Sequence, residues 1–270
     1  MLSKLTLHGE IWLAADMHLG PNNPKTANAF YQFLEQAKHE AKALILCGDI
    51  FNAWIGPDLA IEPPAWLAHA IYHFRNTALD LPIYFMRGNR DFLLDRQFAQ
   101  YVGAQMLADQ IHLQSDHHQL LLTHGDELCT DDKSYQAFRR KVRNKKIQQL
   151  FLKLPLLWRQ RIAGGLRKKS ASSQKKAAST AMQAISDVND NSCMQLLVQH
   201  QLNVLIHGHT HRPALHRMKN TAGQSFSRIV LPDWEYDHSS PSRSGWLALQ
   251  ADGQIALHRL HQPTVRFRLK

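Results

Sequence analysis

Asp16-Met17-His18, Gly48-Asp49, Gly88-Asn89-Arg90-Asp91, His124-Gly125-Asp126 and Gly208-His209-Thr210-His211 set carboxylate, amide or imidazole groups beside tight turns at five places in this 270-residue chain. None of these donors is a thiolate. Mixed oxygen and nitrogen donors favour Mn or Fe, with Zn possible, over a cysteine-built zinc site. Two ions held roughly 3.5–4 Å apart polarise a phosphoryl oxygen and acidify a shared water, so no side-chain nucleophile is needed for attack on phosphorus. Asp49 has two oxygens with which to bridge such a pair, and Gly48 before it lacks the Cβ that would hold backbone and ion apart. Asp16 and His18, two residues apart, point the same way on an extended chain and could chelate one ion. Asn89, His124 and His209 offer donors to a second, and His211 returns to the first.

Each signal is weak alone, because an Asp-x-His at a strand end is usually a polar loop and an isolated His is usually a satisfied core residue. His207, which shares strand parity with His209 and His211, illustrates the hazard. The elements that must position the donors make coincidence a poor explanation. The motifs follow the apolar runs IWLAA, ALILC, PIYFM, QLLLT and NVLIH, so each sits where a buried strand ends. Ligands of open α/β sheets bind in the loops beyond the carboxyl ends of strands. Between the first three runs lie TANAFYQFLEQAKHEAKA, with a helical apolar face at Phe30, Phe33, Leu34 and Ala37, and the proline-led PAWLAHAIYHFRNTA. Residues 11–130 thus read as alternating strands and helices. Beyond Asn203 the period falls to two, over Ser225–Leu231, Gly245–Gln250 and Gln254–His261. The expected fold is α/β, a two-sheet sandwich flanked by helices, with residues 1–131 and 201–270 forming the catalytic domain.

Residues 132–200 read as a helical insertion capping the site. One helix is expected over KSYQAFRRKVRNKKIQQLFLKL, a break at Pro155, a second helix from LLWRQRIAGG, and a third from about Ser172 to His200. Between Lys133 and Ser186 there are fifteen Lys or Arg and no Asp or Glu, leaving 17 basic against 22 acidic residues elsewhere. An ordinary surface mixes signs. The stretch IQQLFLKLPLLWRQRIAGGLRKK is amphipathic, which suits an anionic membrane surface or an acyl chain. No apolar run is long enough to span a bilayer. The N-terminus has no secretory pattern, and Cys47, Cys129 and Cys193 form no CxxC pair, so a cytoplasmic protein without disulfides is expected.

The order and wording of the motifs resemble the calcineurin-like metallophosphoesterases, whose pattern is D-x-H, G-D, G-N-H-[DE], H and G-H-x-H. The resemblance implies that Asp16, His18, Asp49 and His211 hold one metal, and Asp49, Asn89, His124 and His209 the other. Asp49, Asn89, Arg90 and His124 would then carry catalysis. One position departs: Arg90 stands where the wider family has His. Arg stays charged and donates through a fixed fork, which suits clamping a diphosphate more than protonating a leaving group. With GNRDF, HGDELCTDD and HGHTHRP, the chain is similar to the UDP-2,3-diacylglucosamine hydrolase family of lipid A biosynthesis. That branch implies two Mn2+ ions per chain, hydrolysis of a nucleotide-linked glycolipid to UMP and a sugar 1-phosphate, and peripheral attachment to the cytoplasmic face of the inner membrane. It also implies substrate contacts at Asn89, Arg90, Asp132, Ser170, Gln174, Lys176 and His209. Within the insertion the family's lysine position falls on Ala177, with Lys175 or Lys176 as substitutes, and Asp187-Val188-Asn189 comes a few residues late.

Two other readings stay open. A nuclease or phosphodiesterase would use the basic insertion to grip nucleic-acid phosphates, although the insertion is as apolar as it is basic. A non-catalytic scaffold would have lost ligands, whereas all seven positions are filled. No nucleic acid and no obligate protein partner are expected. Asp91 and Asp126 are read as orienting their turns or a ligand imidazole, and Asp233 as a strand-end turn residue.

Overall fold

Apolar runs with no polar break must lie between two apolar layers. In the computed structural model, which describes residues 2–176 and 187–269, an edge strand β1 (Ser3–Thr6) precedes three such runs: β2 (Ile11–Ala14), β3 (Ala43–Cys47) and β4 (Ile83–Met86), buried throughout. They pair in parallel, with α1 (Pro24–Glu40) and α2 (Ala65–Ala78) as the crossovers. Alternate residues separate two layers. Ile11, Leu13, Ile45 and Met86 face the opposite sheet, while Trp12, Ala14, Leu44 and Phe85 pack with Phe30, Phe33 and Leu34 of α1 and Phe74 of α2. The expected apolar face of α1 is the buried one.

The remaining strands complete two sheets. α3 (Arg96–Tyr101) leads into β5 (Gln105–Met106), and β6 (Gln110–Gln114) and β7 (Gln119–Thr123) form an antiparallel pair. The strand–helix alternation expected through residue 130 therefore stops early. The polar turn Ser115–His118 closes a hairpin there, its ends joined by Ser115 N–H donating to the His118 carbonyl at 2.9 Å. After the helical segment come β8 (Val204–His207), β9 (Leu215–Lys219), β10 (Ser225–Val230), β11 (Gly245–Leu249), β12 (Ile255–Arg259) and β13 (Val265–Phe267). The sheet orders are β1-β6-β7-β8-β10-β9 and β13-β12-β11-β2-β3-β4-β5. This is the two-sheet α/β sandwich that the sequence predicts, and all three cysteines are buried.

The helical segment departs from expectation in three places. The single helix expected over 133–154 is split into α4 (Lys133–Val142) and α5 (Lys145–Leu152). Asn144 makes the break, its side chain accepting from Lys146 N–H at 2.9 Å as the cap of α5. α6 (Leu156–Lys176) begins after Pro155 as expected but runs on through Gly164-Gly165. The helix expected from Ser172 to His200 is interrupted: residues 187–189 are not helical, and α7 (Asp190–Gln199) starts only where Asn189 caps Ser192 N–H at 3.1 Å. Cys193 and Leu197 of α7 pack with Leu121 of β7 and Leu205 of β8, on the outer face of that sheet.

Candidate metal centre

All five motifs begin one or two residues beyond the ends of β2, β3, β4, β7 and β8. Their backbone is not extended. Asp16, His18, Asp49, His209 and His211 all have left-handed φ, at 60, 50, 52, 69 and 55°. Asp16 and His18 thus reach one centre through a left-handed turn, not through the parity of an extended strand. Each such residue costs about 1–3 kcal/mol unless its surroundings hold it. Here neighbouring loops do so: Asp16 N–H donates to the Gly48 carbonyl at 3.1 Å and His18 N–H to the Asp49 carbonyl at 2.9 Å.

The donors fall into two groups around Asp49. In the first, His211 Nε2 lies 3.4 Å from Asp16 Oδ1 and 3.5 Å from His18 Nε2. In the second, Asn89 Oδ1 lies 3.0 Å from His124 Nε2 and 2.8 Å from His209 Nδ1. Asp49 stands between them, with Oδ1 3.6 Å from His124 Nε2 and Oδ2 3.8 Å from His18 Nδ1. All seven sequence-predicted ligands are therefore brought together. The donor set also fits a divalent cation chemically. Asp16 Oδ1 is buried with no hydrogen-bond donor, and His124 gives Nδ1 to the Cys47 carbonyl at 3.0 Å, which turns Nε2 toward the centre.

Charge is concentrated here. Burial opposes ionisation of Asp16, but the imidazoles of His211, His124 and His18 outweigh it and hold the carboxyl well below the usual range. Burial wins at Asp49, whose pKa is raised. For His124 burial is outweighed by Asp49 and Asp16, which lift it to about 9, whereas burial and then His124 push His209 down to about 4. His207 is a different case. It is fully buried, with burial and Arg228 pushing it down to about 3, and its Nδ1 lies 2.7 Å from the Gly208 carbonyl. It is a core histidine.

Glycines let the loops close to this distance. A Cβ on Gly48, which has φ 92°, would meet His124 Nδ1 at 2.7 Å, and one on Gly88 would overlap the Asp49 carboxylate and amide nitrogen. Asp91 orients the turn, as expected: its buried carboxylate accepts from Gly88 N–H at 2.6 Å and Ile50 N–H at 2.7 Å, and from the amides of Asp49 and Phe51. Arg90 lies beside the centre, a quarter exposed, with Nε 3.5 Å from Asp49 Oδ2 and Nη1 donating to Asn52 Oδ1 at 3.2 Å.

The helical segment contributes unevenly. Asp132 caps α4, accepting from Tyr135 N–H at 2.9 Å and Ser134 Oγ at 2.7 Å. Ser170, Gln174 and Lys176 fall on the last turns of α6, whose side chains lie outside the described residues, as does Ala177. Asp187 accepts from Arg212 at 2.7 Å. Asp126 contacts α4 and no ligand imidazole: its Oδ2 accepts from Tyr135 Oη and Arg139 Nε, each at 2.7 Å. Arg143 was not foreseen. It donates to the Gly88 carbonyl at 3.0 Å, tying α4 to the Asn89 turn. Asp233, just beyond the end of β10 as expected, also lies 3.4 Å from His211 Nδ1. Its signal was available, since it follows the apolar end of β10 much as the five motifs follow theirs.

Comparison with known proteins gives one consistent result. The model of the calcineurin-like phosphoesterase family matches residues 9–213. A UDP-2,3-diacylglucosamine hydrolase of Bordetella parapertussis is 46% identical over 93% of this chain and 96% of its own length. One from an Escherichia coli O7:K1 strain is 42% identical over 83% of this chain and 91% of its own. Among solved structures, a dimetal phosphatase from Danio rerio shares the fold, with a TM-score of 0.51 at 13% identity over 97% of this chain and 99% of that one.

Proposed function

This chain belongs to the calcineurin-like phosphoesterase family, and on that premise we propose that it hydrolyses the diphosphate of UDP-2,3-diacylglucosamine to UMP and 2,3-diacylglucosamine 1-phosphate. The relatives named for that reaction match nearly the whole chain. Within the fold, the observation that carries the reading is Arg90, held against Asp49 beside the clustered donors. A guanidinium there grips phosphate oxygens at any working pH but cannot give up a proton. A diphosphate needs little protonation of its leaving group, unlike a simple ester.

Asp16, His18, Asp49 and His211 would hold one Mn2+, and Asp49, Asn89, His124 and His209 the other. When bound, the pair would supply positive charge against the phosphoryl oxygens and lower the pKa of a water, so that its hydroxide form is available to attack phosphorus. The chain's own part is to orient: Asn52 and Asp49 fix the Arg90 fork, and Asp91 fixes the turn that presents Asn89. We take Asn89, Arg90, Asp132, Ser170, Gln174, Lys176 and His209 as substrate contacts, and residues 132–200 as the insertion that receives the acyl chains. The test is UMP release from UDP-2,3-diacylglucosamine with Mn2+, with and without chelator. Chelator-sensitive release is expected. Hydrolysis of a generic phosphodiester without any UMP would instead favour the phosphodiesterase or nuclease reading.

The proposal includes attachment to the cytoplasmic face of the inner membrane through α5 and α6. No helix among the described residues is long and apolar enough to cross a membrane. Leu150, Leu157 and Trp158 are 69, 67 and 60% exposed, beside exposed Lys145, Lys146, Lys153 and Arg161. Some of the basic block is spent internally: Arg139 and Arg143 hold the loops at the centre, and buried Arg159 pairs with Asp58 and donates to the Ile55 carbonyl at 2.6 Å. Replacing only Lys145, Lys146, Lys153 and Arg161 with Ser should therefore spare the fold. At about 1 kcal/mol per basic side chain near an anionic surface, vesicle binding should weaken by roughly a hundredfold or more. Unchanged co-sedimentation with anionic vesicles would mean that these charges serve something else.

A further inference from the structure

Resting on the two-ion reading above, we infer that Asp233 and Arg243 are a positioning pair that sets the tautomer and aim of His211 and so governs the Asp16–His18–His211 site. Asp233 follows β10 and is almost fully buried. Its Oδ2 lies 3.4 Å from His211 Nδ1, the ring nitrogen that faces away from the centre. A buried carboxylate is costly unless paired. Arg243 pairs it, with Nη2 2.9 Å and Nε 3.2 Å from the same Oδ2.

Arg243 is itself tethered. Its Nη1 donates to Ser239 Oγ at 2.6 Å, and its backbone exchanges hydrogen bonds with Glu235 at 2.8 and 2.9 Å. The next residue along from Asp233 touches the centre as well, Trp234 N–H donating to the Asp16 carbonyl at 3.2 Å. Further on, Asp237 accepts from Thr26 N–H at 2.9 Å and Lys25 N–H at 3.1 Å, pinning the loop to the start of α1. The carboxylate is thus fixed from its own loop and from a neighbouring element.

A carboxylate can only accept, so a charged Asp233 3.4 Å from Nδ1 favours the tautomer with the ring proton on that nitrogen. The Nε2 lone pair is then left facing Asp16 Oδ1 and His18 Nε2. A carboxylate behind an imidazole also makes it a stronger donor to a cation. His124 has a neutral carbonyl behind it instead, that of Cys47. The two donor groups are therefore tuned differently, and only the first depends on Asp233.

The experiment is calorimetric titration of metal-free protein with Mn2+, comparing wild type with Asp233→Ala, Asp233→Asn and Arg243→Gln. Thermal unfolding of the same metal-free proteins is measured in parallel. Wild type should bind two ions. Asp233→Ala should weaken one of them by about 10–100-fold and leave the other near wild type. Asp233→Asn should fall between, since its amide oxygen keeps an acceptor facing Nδ1 without the negative charge, and the same shape and volume keep the fold intact. Wild-type affinities in every variant would overturn the inference. So would equal weakening of both ions together with a lowered melting temperature in Asp233→Asn, which would make the residue purely structural. Fewer than two ions on wild type would instead sink the two-ion reading, and this inference with it.

Discussion

Asp49→Ala is expected to lower UMP release by about a thousandfold or more while the protein still folds. The carboxylate stands between both donor groups, toward His124 on one side and His18 on the other. It also accepts from Arg90 N–H at 2.8 Å and pairs with the Arg90 guanidinium. One substitution thus removes a donor common to both ions and loosens the phosphate-binding fork. Each bound ion contributes several kcal/mol of transition-state stabilisation, and about 1.4 kcal/mol is tenfold in rate. Stability should move the other way or hardly at all, because burial already disfavours this charge. The assay is steady-state UMP release at saturating Mn2+, with melting curves alongside. Near-wild-type turnover in the saturated variant would remove the two-ion mechanism.

Gly88→Ala should be nearly as damaging, by a purely steric route. A methyl at this position would overlap both the carboxylate and the amide nitrogen of Asp49. Neither can step aside cheaply, since the carboxylate is held by the Arg90 amide and the Asp49 amide by Asp91. Gly88 is fixed in turn, its N–H by Asp91 and its carbonyl by Arg143. Overpacking of this kind costs about 1–3 kcal/mol, and a shift of about 1 Å between reacting groups can cost a hundredfold in rate. We expect a lower melting temperature and roughly hundredfold slower turnover. Gly164→Ala is the control, because a Cβ there meets nothing within 4 Å and Ala favours the helix. If Gly88→Ala matched that control in both measurements, the close approach of the two turns would be irrelevant to activity.

Much of the centre was legible because it repeats one device. A period-free apolar run ends, and Asp, Asn or His follows, with Gly beside it in four of the five motifs. The run fixes a buried strand and the polar residues fix the loop, so Asp16, Asp49, Asn89, His124 and His209 could be placed without coordinates. Helix faces were readable for the same reason, as Phe30, Phe33 and Leu34 show. What escaped depends on side-chain partners that residue type alone does not name, near in the chain or far. Asn144 looks like any polar helix residue until its side chain caps the next helix. The charges of Arg139, Arg143 and Arg159 read as part of a basic block suited to an anionic surface, yet Asp126 and the Gly88 and Ile55 carbonyls absorb them. The left-handed backbone at Asp16 and His18 is also invisible in sequence, because nothing in Asp or His demands it. Asp233 escaped because, although it too follows an apolar run, it stands alone after Leu-Pro without the Gly or second donor that marks the five motifs.

The donors are divided between the two sheets. Asp16, Asp49 and Asn89 leave strands of one, and His124, His209 and His211 leave strands of the other. Between them the sheets pack through apolar side chains such as Ile45, Leu122 and Ile206, which resist separation but specify position only loosely. At this rim they are joined by directed contacts, such as His209 N–H on Asp16 Oδ2 at 2.8 Å and His124 Nδ1 on the Cys47 carbonyl. A cation bound there would act as a clasp, and its binding energy would count toward the cohesion of the whole sandwich. Catalytic competence and mechanical integrity would then rise and fall with the same ion supply, so that a metal-starved enzyme would be idle and also easier to unfold.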